Sequence, residues 1–363
     1  MAIWRSAMIR ALLSPFPFQK SNSYLNKSMK IEEVKNVITV GASAGGLSAV
    51  SELLASLPGN IDAAVFIVIH ISKVAIEENI LSLLNKKSKL EVVIPQNGTK
   101  IENRKAYLAP VDHHMMLSNG TILTTRGAKE NHWRPSIDVL FRTAAAAYSN
   151  CVTGIILTGL LDDGTSGMIA IKNAGGTCIV QEPEEAEYAD MPQSVINNIE
   201  VDYRVSIVDM HYILSDLYSR GICVKGEVPA NLKLESEITL RMSSNYEQTS
   251  TLGIPTMFTC PDCGGVLTKI KEDGNSRYRC FTGHVYSEDI LTGEYANKIE
   301  EALWVAIRMM EERRNFISGL EERTQINTYV SEDRKKRADE LKVYIERLKD
   351  VLKDVGDSRI TKL

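Results

Sequence analysis

Residues 37 to about 220 alternate short apolar runs with stretches whose apolar positions recur at helical spacing. "VITVGA", "KAYLAP", "CVTGIILTG" and "TCIVQ" have the length and composition of strands. "AAVFIVIH" is apolar throughout, the pattern of a strand covered on both faces of a parallel sheet. "GLSAVSELLASL", "SIDVLFRTAAAAYS" and "SGMIAIKNAGG" predict helices. In the second of these, Ser136 stands at the N-cap position. Asp138 lies in the first turn, where the positive end of the helix favours a carboxylate. "HMMLSNGTILTTR" reads as a hairpin turning at Asn119-Gly120. The alternation predicts an α/β fold with a doubly wound, mostly parallel sheet over residues 36–220.

Beyond residue 220 the pattern changes. Residues 221–255 read as a helix, "PANLKLESEITLRM", and then a polar, turn-rich linker, "SSNYEQTSTLGIP". A compact cysteine-containing module follows over 256–286, and a charged helical tail over 287–355. One tail helix presents Ile299, Leu303, Ala306, Ile307 and Met310 on an apolar face. The other presents Leu341, Tyr344, Ile345, Leu348, Val351 and Leu352. Two such faces predict a helical hairpin or a coiled coil with another chain.

A length of 363 residues suits two or three domains. The net charge of −4 argues against general nucleic-acid binding, and no apolar run is long enough to span a bilayer. Residues 1–35 read as a disordered leader or an extended start, with Met29 as an alternative initiation site.

The six cysteines fall into two groups. Cys151, Cys178 and Cys223 stand apart and read as small buried hydrophobes. Cys260, Cys263, Cys280 and His284 follow the spacing C-x2-C, sixteen residues, C-x3-H. Two short chelate loops with four soft ligands suit a closed tetrahedral zinc site, structural because no position is left for water. Such a cluster belongs to a reducing compartment, so the location expected is the cytoplasm.

The loop "VGASAGG" after the first strand admits two readings. Gly41 and Gly46 fit a dinucleotide fingerprint, but Ser43 stands where its second glycine would be. Gly41-Ala42-Ser43-Ala44-Gly45 also has the form Gly-x-Ser-x-Gly, the setting of an exposed nucleophilic serine. An α/β-hydrolase is excluded because only one strand precedes the serine. In a parallel sheet, reacting groups gather past the carboxyl ends of strands. Ser43 follows the first strand, His70 ends "AAVFIVIH", and Asp162 and Asp163 follow "CVTGIILTG". His113, His114, His132 and His211 fit less well. A serine needs a base, and the base an orienting group; these three strand ends offer the set.

The stretches "ITVGASAGGL", "VFIVIHIS", "AYLAPVDHHMML", "RPSIDVLFRTAA" and "LTGLLDDGTSGM" resemble the chemotaxis protein-glutamate methylesterases, the CheB family, in register from about residue 36 to 215. The resemblance implies a Ser-His-Asp hydrolase acting on glutamyl methyl esters of chemoreceptor cytoplasmic helices, with glutamine deamidation in many members. By motif it makes Ser43 the nucleophile, His70 the base and Asp163 the orienting acid. It assigns the main-chain N–H groups of Ala44 and Leu160 to the oxyanion, and Arg134 to substrate holding. Catalysis then needs no cofactor. The family often has threonine at the position of Ala44 and methionine-glycine at Leu160-Leu161, so rate and substrate preference are expected to differ more than reaction class. Too few residues precede the domain for a receiver module, which implies the stand-alone form. The zinc module and helical tail would then dock a receptor or another helical partner. Two rivals have other sequence signatures. A catalytically weak scaffold or sensor binding signalling helices would not need all three of Ser43, His70 and Asp163. A nucleotide-binding regulator would want glycine in place of Ser43 and an acid where His70 stands.

Overall fold

Apolar strands that need cover on both faces assemble into one seven-stranded sheet in this computed structural model, which describes residues 34–71, 77–219, 223–242, 245–272, 275–323 and 328–360. The leader expected over 1–35 lies outside the described residues up to position 33; Val34 is already buried. In chain order the elements begin with β1 (Val37–Ala42), α1 (Gly46–Ser56), β2 (Ala64–Ile69), α2 (Glu77–Lys87) and β3 (Glu91–Val93). Next come β4 (Thr99–Lys100), β5 (Lys105–Leu108), β6 (His114–Ser118), β7 (Thr121–Thr125) and α3 (Ile137–Tyr148). After these follow β8 (Val152–Ile156), α4 (Thr165–Asn173), β9 (Thr177–Gln181), α5 (Asp190–Asn198), β10 (Tyr203–Val205) and α6 (Ile207–Ser219).

The sheet order is β10-β9-β8-β1-β2-β5-β3, and every pairing is parallel. Successive residues of β1 serve opposite faces, as strand geometry requires. Val37 joins the core that holds Leu140 and Phe141 of α3 and Met168 and Ile171 of α4. Ile38 and Val40 join the core with Leu53 and Leu54 of α1 and Met210 and Leu214 of α6. Each such buried side chain contributes roughly 1.5–3 kcal/mol. The fold is thus the doubly wound α/β architecture expected. From β1 the chain builds outward through β2, then returns to start β8 on the other side. The strand order therefore reverses at β1, and a crevice opens there at the carboxyl ends of the strands. β6 and β7 form the expected hairpin, with Asn119 and Gly120 both at positive φ, and β4 adds a third strand.

The rest of the chain supplies α7 (Ala230–Arg241), α8 (Tyr246–Leu252), β11 (Ile254–Thr259), β12 (Val266–Glu272), β13 (Asn275–Cys280), β14 (Val285–Ser287), α9 (Glu288–Arg323) and α10 (Thr328–Ile360). The four strands form an antiparallel sheet, and α9 and α10 pack on each other with Ile307 and Ile345 buried. The polar "linker" contains a helix: Asn245 caps α8 while the Gln248 side chain returns a bond to the Asn245 N–H. On the tail helices Ile299, Tyr344 and Val351 are exposed, so the packed face is narrower than their spacing suggested.

One cysteine expectation is overturned. Cys151 and Cys223 are not isolated thiols but a disulfide. The segment after α6 runs back along the turn before β8, where Gly226 N donates to Asn150 Oδ1 at 2.7 Å. A contact between residues 72 apart leaves no local trace in the sequence.

Candidate active site

The crevice at the β1 switch point collects the three strand-end residues. Ser43 leaves β1 with its N–H donated to the Thr158 carbonyl (3.0 Å), and the Gly46 N–H closes back on the Ser43 carbonyl (2.8 Å). The turn needs Gly45 at φ 72°, a left-handed conformation that favours glycine, and α1 starts at once behind it. Thr158 fastens the other wall, its hydroxyl donating to the Ala44 carbonyl at 3.0 Å. The Ser43 hydroxyl makes no hydrogen bond among the described residues.

His70 stands on the adjoining strand, its N–H donated to the Ala42 carbonyl at 3.0 Å. Its imidazole is 1% exposed, and Nε2 lies 2.9 Å from Asp163 Oδ2. Burial disfavours charge on Asp163, but bonds from His70, the Ile137 N–H and the Ser136 hydroxyl outweigh it. They hold the carboxyl below its ordinary value. An ionised carboxylate only accepts, so Nε2 is the donor to Asp163, and in the neutral tautomer that this bond selects Nδ1 is the bare nitrogen. Nδ1 is buried and has no partner among the described residues.

Asp163 is itself fixed by α3. Oδ2 accepts from Ile137 N at 2.8 Å, Oδ1 from Ser136 Oγ at 3.0 Å and more weakly from Asp138 N at 3.4 Å. Ser136 therefore occupies the cap position without capping, because its hydroxyl serves Asp163. Asp138 accepts from Gly164 N, Gly167 N and Asn131 Nδ2, and burial together with the Asp163 charge pushes its pKa well up.

The main-chain N–H groups of Ala44 and Leu160 make no hydrogen bond among the described residues. Ala44 N sits beside the positive end of α1, and Leu160 lies in a turn that is 46% exposed at this residue. Two free donors flanking a serine can receive an oxyanion. Arg134 is spent on its own neighbourhood: its guanidinium bonds Asp112 (2.8 and 3.1 Å) and the carbonyls of Arg126 and Gly127. Asp162 lies beside Ser287, its pKa raised chiefly by burial. His114 is a satisfied core histidine, accepting from Ser136 N at Nδ1 and bonding the Ala128 carbonyl through Nε2. A cavity of about 740 Å³ adjoins the site between α5 and α9, lined by His132, Leu161, Asp162, Gln193, Asp289 and Asn297 among others.

Trp133 directly precedes Arg134, and nothing in the sequence marks it as part of the site. Its ring stacks on the His70 imidazole, with centroids 3.9 Å apart and planes 7° from parallel. Only the tertiary fold brings residues 70 and 133 together.

Cys260, Cys263, Cys280 and His284 converge as their spacing predicted, with ligand atoms within 4.8 Å of one another. Cys263 Sγ and Cys280 Sγ are 3.6 Å apart, and His284 Nδ1 lies 3.5 Å from Cys280 Sγ. Those are edge lengths of a tetrahedron whose centre is about 2.0–2.3 Å from each ligand, so the cluster could hold a metal ion. The Tyr286 hydroxyl, bonded to Asp262, lies 3.2 Å from Cys260 Sγ, a polar surround of the kind that orients metal ligands.

A family model described as CheB methylesterase matches residues 38–214. A Leptospira interrogans protein provisionally named protein-glutamate methylesterase/protein-glutamine glutaminase is 36% identical over 171 residues, 47% of this chain and 88% of that one. A Methanosarcina acetivorans protein-glutamate methylesterase/protein-glutamine glutaminase is 32% identical over 50% of this chain and 53% of its own length. The Thermotoga maritima CheB methylesterase catalytic domain, a crystal structure, is 28% identical with a TM-score of 0.48, covering 50% of this chain and 98% of that chain.

Proposed function

The chain belongs to the CheB methylesterase family, and from that premise we propose that it is a serine-type carboxylic ester hydrolase. Its substrates are glutamyl methyl esters on chemoreceptor signalling helices, and it deamidates glutamines at the same site. One observation carries the assignment. The buried His70 imidazole gives Nε2 to Asp163 and keeps Nδ1 unpartnered, on the strand next to Ser43.

The chemistry follows from those positions. Ser43 Oγ passes its proton to Nδ1 as it bonds to the ester carbonyl carbon. The carbonyl π electrons move onto oxygen, which the N–H groups of Ala44 and Leu160 receive. Asp163 stabilises the imidazolium formed. The carbon–methoxy bond then breaks, and the leaving oxygen takes the proton from Nδ1 as methanol. Water adds to the acyl-serine by the same route, restoring Ser43 and releasing the glutamate side chain. With glutamine the leaving group is ammonia. The route draws on no cofactor.

We assign Cys260, Cys263, Cys280 and His284 to a structural zinc ion, which would lock the ends of β11, β13 and β14 together. The fit rests on the donor set and its tetrahedral spacing. The hydrolase unit is taken as 36–220, joined by 221–255 to the metal module at 256–286 and the helical hairpin at 287–355, which offers a face to a helical partner. No helix among the described residues is long and apolar enough to cross a membrane. We assign the chain to the cytoplasm, where the cluster thiols stay reduced; the Cys151–Cys223 bond pulls the other way.

The test is methanol release from methylated receptor fragments by wild type, Ser43→Ala and His70→Ala. Release abolished in both variants, with far-UV circular dichroism unchanged, is the expected result. Wild-type binding of the fragment without release would replace the hydrolase by a scaffold.

A further inference from the structure

The C-terminal metal module does not hang from the hydrolase unit; it is built into the wall behind the base. Its β14 runs against the loop 130–134. Asn131 N donates to the Val285 carbonyl at 2.9 Å, and Ser287 N donates to Asn131 Oδ1 at 3.0 Å. The same Asn131 side chain reaches Asp138 in the first turn of α3 through Nδ2 at 3.2 Å. One buried asparagine thus ties the metal module, the loop and the helix that holds Asp163.

The loop needs such a tie. Asn131 (φ 48°) and His132 (φ 68°) are consecutive non-glycine residues in left-handed conformation. A strained pair of this kind persists only where its surroundings over-determine it. The next residue is Trp133, whose indole covers the His70 ring at 3.9 Å. An aromatic face at that distance blocks rotation of the imidazole about its exocyclic bond.

Resting on the assignment of His70 as base, we propose that the metal module is a brace for it. Through Asn131 it fixes the 130–134 loop, so that Trp133 acts as a positioning residue. Trp133 holds the His70 ring in the one orientation that gives Nε2 to Asp163 and leaves Nδ1 free.

Full-chain Trp133→Leu, Trp133→Phe, Asn131→Gly and Ser43→Ala proteins test this by methanol release from a methylated receptor fragment. Zinc content and thermal unfolding are followed alongside. Glycine at 131 keeps the positive φ and removes both side-chain bonds. The expected result is kcat lower by about 10- to 100-fold in Trp133→Leu and Asn131→Gly, with KM within about twofold and zinc retained. Trp133→Phe, which keeps an aromatic face, is expected to recover most of kcat. Wild-type kcat in a folded Asn131→Gly protein would overturn the brace. A fall in KM and kcat together that Phe does not rescue would reduce Trp133 to packing. If Ser43→Ala still turns over, the hydrolytic assignment itself falls, and the brace with it.

Discussion

Ser136 Oγ donates to Asp163 Oδ1 at 3.0 Å, so the residue placed to cap α3 instead hands that cap to a carboxylate from a different strand end. The helix start is satisfied by Asp163, which accepts from Ile137 N at 2.8 Å. The arrangement couples a structural need of α3 to the orientation of His70. It also keeps Asp163 ionised in a buried place, because every hydrogen-bond partner of its oxygens is a donor. Replacing Asp163 by Asn puts an N–H₂ group against both the Ile137 N–H and the His70 ring if it takes the Oδ2 place, or against Ser136 Oγ and the Asp138 N–H if it takes the Oδ1 place. The expected cost is roughly 10³–10⁴ in kcat with the fold retained, the range for a triad left with the wrong imidazole tautomer. Steady-state kinetics with a methylated receptor fragment check it. A loss under tenfold would remove Asp163 from the role proposed.

Gly159 is tied to Ser43 by space. A Cβ at this position would stand 2.8 Å from Ser43 Cβ and closer still to Met191 Sδ. The methionine end can swing away, whereas the serine Cβ sits on a turn fixed by backbone bonds. Gly159→Ala is expected to destabilise by about 1–3 kcal/mol, the usual cost of overpacking. Adding Met191→Ala is expected to recover part of that stability and none of the activity. Urea unfolding and kinetics on the single and double variants separate the two contacts.

Much of the site was legible because its residues lie at the ends of recognisable strands. β1, β2 and β8 announce themselves by apolar runs, and Ser43, His70 and the pair Asp162 and Asp163 follow from the rule that parallel sheets gather chemistry at their carboxyl ends; only the family resemblance singles out Asp163 of the pair. The metal cluster was legible for a different reason: its ligands come in two local pairs. What escaped depends on contacts distant in sequence. Trp133 touches His70 through a loop whose course is set by the metal module. The disulfide joins Cys151 to Cys223 across α4, α5 and α6. α8 hid in a polar stretch because it is short and held by its cap rather than by an apolar face.

Arg142 on α3, Glu130 before it, Glu235 on α7, and Arg277 and Arg279 on β13 form a buried charge cluster, their side chains 1–4% exposed. Arg277 grips Glu235 with two bonds, 2.8 and 2.9 Å. Burial would raise the Glu235 pKa, but Arg142 and Arg277 overcome it and hold the carboxyl far below its ordinary 4.5. Because the folded-state value is depressed, the stabilisation is fully present above about pH 4.5 and is lost as pH falls through the folded value. Glu235→Gln leaves buried guanidinium groups uncompensated and is expected to cost about 3–5 kcal/mol near neutrality. The gap between wild type and Glu235→Gln in denaturant unfolding should be flat from pH 7 to 5 and narrow below 4.5. A gap independent of pH would show that the charge of Glu235 is not what holds the module.

Metal removal should act unevenly along the chain. The two cores flanking the parallel sheet contain many buried aliphatic side chains and owe nothing to the cysteine cluster. The core of the cysteine-containing module consists of Cys260, Leu267, Tyr278, Cys280, Tyr286, Ile290 and Leu291, too little apolar surface to hold four short strands unaided, and two of its members belong to the cluster that could hold a metal ion. Dialysis against a strong chelator is therefore expected to release about one zinc per chain and to expose residues 254–287 to limited proteolysis, while a fragment carrying 34–219 survives. Cys263→Ser should give the same cleavage pattern without chelation. Once the module melts, β14 no longer holds Asn131, and Arg277 and Arg279 leave Glu235 and Glu130. Turnover should then fall before the parallel sheet unfolds. Following zinc release, proteolysis and methanol production on one time course orders these events. Activity that persists after the module is cleaved would sever the metal site from the chemistry.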